Sequence, residues 1–342
     1  MDVLQVKLPK NVTIGRNATE KIGQVCDELN MRDTVSVFTD QAVMEAAGRR
    51  VIEVLRGSGY EVYPTYLPSK VNMKDLKAVG SDFVIGLGGG KVIDFAKMTA
   101  KMSNRPFISF PTAISHDGIA SDRAVVGDSY SIPAVIPDAI VIDIDIILKS
   151  PYRLTAAGCG DVIAKLTAVE DWKLSHRKTG EYISEYSAAI NKTSADLVIE
   201  SASSIRNLEE RGIRNLIEAL VFSGVSMSIA GSSRPSSGSE HLFSHALKTV
   251  YPQRKSLHGE ECALGAIMCS YLQGKDWEKI VQALNAVGLP TTAKGLDLPD
   301  DIVVKALSMA KDVRNDRYTI LNYKKVNEET ARSVARSTCV ID

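Results

Sequence analysis

Three of the five histidines in this 342-residue chain cluster: His241, His245 and His258. The stretch Ser239-Glu240-His241-Leu242-Phe243-Ser244-His245 spaces two imidazoles four residues apart, on one face of a helix. His258 opens Leu257-His258-Gly259-Glu260-Glu261, just ahead of a small-residue helix from Cys262 to Ser270. Imidazole nitrogens that converge with a carboxylate make a site for zinc or iron. The pair lacks the glutamate of an HExxH motif, which argues against a metalloprotease. Asp161 is the candidate carboxylate, because Ala157-Gly158-Cys159-Gly160-Asp161-Val162-Ile163-Ala164-Lys165 is a small-residue, apolar helix start in which an aspartate needs a partner. Satisfied core histidines and a plain helix N-terminal aspartate are the alternative reading. Cys159 offers a nearby thiol, a weak signal by itself. His176, among Asp171, Arg177 and Lys178, reads as a solvated surface residue.

A second chemistry is written in glycine. Gly88-Gly89-Gly90-Lys91 sits where the apolar run Phe83–Leu87 ends and a helical stretch begins, with Asp94 one turn further on. Glycines there let the backbone approach a phosphate, and a helix N-terminus supplies N–H groups and a positive dipole end. The pattern is neither GxGxxG nor a P-loop, and a tight structural turn is the alternative. Pro111-Thr112-Ala113-Ile114-Ser115-His116-Asp117-Gly118 follows the next strand candidate, where small hydroxylated residues could line a nucleotide and Asp117 or His116 could reach a substrate. A capped loop explains it equally well. Asp40, at the end of an earlier strand candidate, is placed to accept from a ribose hydroxyl.

These residues need elements to hold them. Up to Ser150 the chain alternates β-rich runs (35–39, 60–66, 83–87, 106–110, 139–144) with helical stretches (41–56, 91–102), which predicts a parallel sheet wrapped on both faces. After Pro151 helical periodicity takes over (155–175, 181–208, 211–230, 276–286). We expect an α/β nucleotide-binding domain over residues 1–150 and an all-α domain over 151–342. Gly231–Gly238 is a Ser/Gly/Pro-rich turn, and no internal repeat is visible.

Composition excludes several classes. Lys plus Arg and Asp plus Glu are both 41, so bulk charge gives no case for a nucleic acid or an anionic membrane. Five scattered cysteines without a CxxC pair suit neither a disulfide framework nor a cysteine zinc site. Met1 to Lys10 alternates polar and apolar residues, unlike a signal peptide. The most apolar stretch, 132–148, is broken by Asp138, Asp143 and Asp145 and cannot span a membrane. The expectation is a soluble cytoplasmic protein.

In order and spacing, Gly88-Gly89-Gly90 with Asp94, the Pro111-Thr112 loop, Gly158 with Asp161, the His241/His245 pair and His258-Gly259-Glu260 resemble the superfamily of dehydroquinate synthases, glycerol dehydrogenases and iron-containing alcohol dehydrogenases, over essentially the whole chain. Within it, Phe110 to Ser121, Ser233 to His241 and Leu257 to Glu260 are similar to the archaeal-type sn-glycerol-1-phosphate dehydrogenase family. The resemblance implies a Rossmann-like N-terminal domain and a helical C-terminal domain, with the active site in the cleft between them. It implies zinc held by Asp161, His241 and His258, with His245 and Asp117 on the substrate. It also implies NAD(H) or NADP(H) lined by Gly88, Gly89, Gly90, Lys91, Val92, Asp94, Thr112, Ala113, Ile114, Ser115 and Ser121. The implied reaction reduces dihydroxyacetone phosphate to sn-glycerol 1-phosphate for archaeal membrane lipids, in an enzyme that forms homo-oligomers.

The dehydroquinate synthase motif after the Pro-Thr loop is replaced here by Ser115-His116-Asp117-Gly118. The histidine of the iron-type Asp-x-x-x-His pair is replaced here by Lys165, which favours zinc over iron. Glycerol dehydrogenase shares the ligand set and stays open. So do a dehydroquinate-synthase-like lyase and a scaffold that has lost its chemistry. On this reading Asp161, His241, His258, His245 and Asp117 are the residues that act, and Arg234 and Lys165 are the candidate cations for the substrate phosphate.

Overall fold

A computed structural model describes residues 6–127 and 131–342. The expectation for the Met1 to Lys10 alternation therefore falls partly outside the described residues. The chain divides into two compact units, Met1–Tyr152 and Arg153–Asp342.

All the strands among the described residues lie in the first unit: β1 (Asn11–Gly15), β2 (Thr34–Thr39), β3 (Glu61–Tyr66), β4 (Phe83–Gly88), β5 (Phe107–Pro111), β6 (Arg123–Ala124), β7 (Ile132–Pro133) and β8 (Ala139–Asp143). Six form one parallel sheet in the order β1-β8-β5-β4-β2-β3, and β6 pairs antiparallel with β7. Alternate residues of one strand feed opposite faces. Phe83, Ile85 and Leu87 pack into one hydrophobic cluster with Val35, Val37, Leu55 and Phe110, while Val84 packs into another with Ile93, Phe95 and Phe107. With both faces covered, the strands read as continuous apolar runs rather than alternating ones.

The five strand candidates match β2, β3, β4, β5 and β8 within a residue at either end. Sequence reading missed β1, whose residues are part-buried or exposed, and the two-residue β6 and β7. The apolar stretch 132–148 resolves into β7, β8 and the short helix Ile144–Lys149.

The second unit is helical throughout its ordered elements. The expected helix 155–175 is two, Tyr152–Ile163 and Lys165–Thr179. At the break, the Thr167 hydroxyl shares its one proton between the Ala164 carbonyl at 2.7 Å and Glu240 Oε2 at 2.8 Å, and so competes with the backbone ladder. The expected helix 181–208 starts only at Glu185, where Ser184 caps it, and stops at Glu200. Glu210–Ala230 is long and apolar enough to cross a membrane by length and composition, but about two-thirds of its apolar window is buried inside the protein, as in a core helix.

Candidate functional site

In the first unit, three loops emerge from the C-terminal ends of neighbouring parallel strands, where open α/β sheets place ligands. β4 ends in Gly88, and Gly89 precedes the helix Gly90–Ser103. The glycines have different reasons to be there. A Cβ on Gly88 would stand 2.8 Å from Val92 Cβ, and one on Gly90 would collide with the His116 imidazole. A Cβ on Gly89 would meet nothing within 4 Å, so this residue faces open space at the helix N-terminus. His116 Nδ1 accepts from the Gly118 N–H at 2.9 Å. A neutral ring then carries its proton on Nε2, the nitrogen turned toward Gly90.

The Pro-Thr loop lies alongside. Gly88 pairs with Pro111, and the Thr112 N–H donates to the Gly88 carbonyl at 3.1 Å. Thr112 and Ser115 are half-buried, whereas Val92, Ala113 and Ile114 are buried. Ser121 is buried in a local turn, where its hydroxyl accepts from the Arg123 N–H at 3.3 Å. Asp94 is buried, accepts from the Val125 N–H at 2.9 Å and faces the buried Lys97 at 3.7 Å, so it braces the loop from behind. Lys91 Nζ donates to the Pro68 carbonyl at 3.1 Å. Asp40, at the end of β2, accepts from the Val43 N–H at 2.9 Å and caps the next helix. Asp117 is half-buried in a single turn of 3₁₀ helix.

In the second unit, three helices approach unusually closely. A Cβ on Gly160 would run into the Gly259 carbonyl, and a Cβ on Gly259 into the Ala157 carbonyl, so the helices Tyr152–Ile163 and His258–Leu272 touch backbone to backbone. A Cβ on Gly265 would lie 2.8 Å from Glu240 Cα, which presses the helix Ser239–Val250 against the same neighbour. These contacts bring ligand atoms of Asp161, His241, His258 and Cys262 within 4.8 Å of one another. Asp161 Oδ1 is 3.5 Å from His241 Nε2 and 3.9 Å from His258 Nε2. Nitrogen and oxygen ligands of a tetrahedral zinc stand roughly 3.3 Å apart, so small adjustments complete the site.

Both imidazoles are held in the tautomer that a metal needs. His241 Nδ1 lies 2.8 Å from Glu240 Oε1, and a carboxylate can only accept, so His241 donates from Nδ1 and turns Nε2, the nitrogen a metal would take, toward Asp161. Ser244 Oγ donates to Glu261 Oε2 at 2.6 Å, so at 3.1 Å from His258 Nδ1 it acts as acceptor, which again leaves Nε2 for a metal. The donor set, two imidazoles and a buried carboxylate, suits a borderline divalent ion such as zinc.

Burial works to raise the Asp161 carboxyl, but Lys165, His241 and His258 hold it well below the usual range. Burial works to lower His241, and Cys262, Asp161 and Glu240 together raise it well above its ordinary value. His245 goes the other way: burial first, then His241, Lys248, Arg314 and Arg317 push it down to about 3, so it is neutral at physiological pH. Its ring centroid lies 6.4 Å from that of His258.

Of the two cysteines near the candidate ligands in sequence, Cys262 joins the cluster. It lies one helical turn after His258, a spacing that could have found it. Its Sγ is 3.5 Å from His258 Nε2 and 3.7 Å from Nδ1, nearly equidistant, so it packs beside the ring and off the Nε2 lone-pair axis. Burial pushes the Cys262 thiol up to about 11. Lys165 is buried, with Nζ 3.3 Å from Asp161 Oδ2, and so neutralises the aspartate instead of facing a distal phosphate. Glu240 was also overlooked: it is buried and accepts from His241, the Gly238 N–H and the Thr167 hydroxyl. His176 is exposed, as read.

The family model described as iron-containing alcohol dehydrogenase matches residues 13–151. Over the whole chain, a glycerol-1-phosphate dehydrogenase (NAD(P)+) of Methanosarcina mazei is 43% identical, covering 98% of this chain and 97% of its own length. The protein of the same name from Methanosphaera stadtmanae is 41% identical, covering 100% of both. Among solved structures, glycerol dehydrogenase from Schizosaccharomyces pombe superposes with a TM-score of 0.81 at 21% identity, over 99% of this chain and 91% of the other. A probable glycerol dehydrogenase from Sinorhizobium meliloti gives 0.79 at 20% identity, over 98% of both. At those identities the superpositions establish the fold alone.

Proposed function

The chain belongs to the glycerol-1-phosphate dehydrogenase family, and from that premise we propose that it reduces dihydroxyacetone phosphate to sn-glycerol 1-phosphate with NADH or NADPH. Asp161, His241 and His258 are the proposed zinc ligands, and Gly89 with Thr112 to Ser115 the proposed cradle of the dinucleotide. The observation that carries the reading is the convergence of one buried carboxylate and two Nε2 atoms, with each imidazole's Nδ1 held by its own partner.

When bound, a divalent metal supplies Lewis acidity toward the ketone oxygen, and the nicotinamide supplies the electron pair. The chain's own residues do the rest. Lys165 and the two histidines keep Asp161 ionised inside an apolar helix. Glu240 holds the His241 ring in place and makes its Nε2 a stronger donor. His245 stays neutral among cations, so it can orient a substrate hydroxyl by hydrogen bonding without carrying charge into the site. We assign Asp117 a second polar contact to substrate, supported by its place in the loop after β5. Residues that turn inward behind the loop, such as Asp94, act by bracing it.

A second reading, glycerol dehydrogenase on the unphosphorylated ketone, shares the proposed ligand set, but the full-length sequence relatives described above carry the other name. Exposed Tyr182, Tyr186 and Phe222 support an assembly of copies, which light scattering would measure. The function is tested by NADH oxidation with dihydroxyacetone phosphate before and after chelation. Activity that a chelator abolishes and zinc restores is expected, and full turnover in metal-free protein would refute the metal's role.

A further inference from the structure

The turn between the helices Glu210–Ala230 and Ser239–Val250 holds more positive charge than the protein neutralises. Arg234, only 2% exposed, donates through Nη2 to Glu181 Oε2 at 2.8 Å and to the Tyr318 carbonyl at 3.1 Å. Its Nε and Nη1 find no partner among the described residues. Arg317, next to Tyr318 in sequence and 6% exposed, donates to the Ser237 carbonyl and to Ser233 Oγ, both at 2.7 Å. Both of its partners are neutral, and among the described residues no carboxylate lies within ion-pair distance of it. The nearby acids are occupied: Glu181 pairs with Arg234, and Asp316 pairs with Arg314 at 2.6 Å. A buried guanidinium without a counter-ion is costly. Burial, Arg314 and Arg234 act to lower the basicity of Arg317 and outweigh Asp316 and Glu181, which raise it, although a guanidinium stays charged at neutral pH.

The place of this pair in the fold matters. Arg317 holds the carbonyl of Ser237. Gly238, the next residue, donates to Glu240, which in turn holds His241. His245, one turn along the same helix, feels the positive charge of Arg314 and Arg317. The two guanidiniums therefore sit at the start of the helix that carries both His241 and His245.

We propose that Arg317 and Arg234 form a buried subsite for a phosphate monoester, and that the dianion of the substrate is the missing counter-ion of Arg317. The subsite rests on the reading of the chain as a phosphate-ketone reductase and sets its preference for the phosphorylated over the free ketone. Arg234 has Nε and Nη1 unused, one on each side of the guanidinium, and Arg317 adds charge that no ion pair neutralises. No sequence motif marked Arg317. It lies 72 residues beyond His245 and meets the turn only through the fold.

The test compares kcat/KM for dihydroxyacetone phosphate and for dihydroxyacetone in wild type, Arg317→Ala, Arg317→Lys and Arg234→Ala, with inorganic phosphate as a competing probe. A charge-assisted contact corresponds to roughly 10–100-fold in affinity. Arg317→Ala should lose about that factor on the phosphorylated ketone, and lose inhibition by inorganic phosphate, while use of the free ketone changes far less. Arg317→Lys should recover part of the loss, because it restores the charge without the fork. Equal losses on both ketones would overturn the subsite and make the arginines braces of the turn. If a variant does not fold, wild-type protein still decides: failure of inorganic phosphate to compete with the phosphorylated ketone overturns the proposal. Wild type that shows no preference for the phosphate refutes the function instead, and is told apart because it needs no variant.

Discussion

The two units recognise their proposed ligands by opposite means. In the first, the backbone does the work: an open glycine at Gly89, a helix N-terminus, and the adjoining Thr112 strand end. Side chains near the loop mostly brace it from behind, as Asp94 and Lys97 do. In the second unit the backbone is hidden, and buried charged side chains from three helices form the centre. A backbone cradle tolerates change everywhere except where a new side chain enters its space. A charged cluster tolerates none, because each group is the counter-ion or orienting partner of another.

That contrast orders the expected effects. Asp161→Asn should be the most damaging, since it removes the anionic ligand and strands buried Lys165. A loss of about 4 kcal/mol of transition-state stabilisation, roughly a thousandfold in kcat/KM, is expected in steady-state assays. Glu240→Gln should follow, with zinc affinity reduced roughly 10–100-fold in metal-buffer titrations. Unchanged affinity would mean that His241 is oriented by packing alone. Gly89→Val should raise KM for NADH roughly tenfold while zinc content and melting temperature stay near wild type, because a side chain there meets ligand space and not protein. Gly90→Val is the poorer probe, since it would also strike His116. An unchanged KM in Gly89→Val would show that the glycines serve the turn only.

The smallest effect concerns pH. His245 binds a proton far more weakly folded than unfolded, with its value near 3 set against an ordinary 6.5. As pH falls below about 6.5, the unfolded chain gains a proton there that the folded one refuses, so this group makes the protein progressively less stable down to about pH 3. Denaturant titrations at pH 7 and 5 should show His245→Asn losing less stability on acidification than wild type. An equal loss would place His245 in a more solvated setting.

Much of this was legible in the sequence because local chemistry dictated it. Five β-rich runs became sheet strands, and the triple glycine sits at a strand-to-helix turn, because buried parallel strands and glycine turns announce themselves within a few residues. The Asp161, His241 and His258 cluster was visible once residue types were weighed together with a resemblance. What escaped depends on contacts between distant segments. Glu240 looks like any helix-start glutamate until its neighbour His241 turns toward Asp161. Gly160, Gly259 and Gly265 show their purpose only where helices cross. Lys165 was weighed as a phosphate ligand because it lies one turn from Asp161, the same i,i+4 spacing that lets it fold back on the aspartate. Arg317 carries no signal in its own segment at all.

The central claim is that Asp161, His241 and His258, and not His245, hold a catalytic metal. Elemental analysis of purified wild type, His241→Ala, His258→Ala and His245→Ala, each reconstituted with zinc and desalted, tests it most directly. The account predicts one zinc per chain in wild type and His245→Ala, with little in the other two. Zinc lost from His245→Ala but kept by His258→Ala would contradict it.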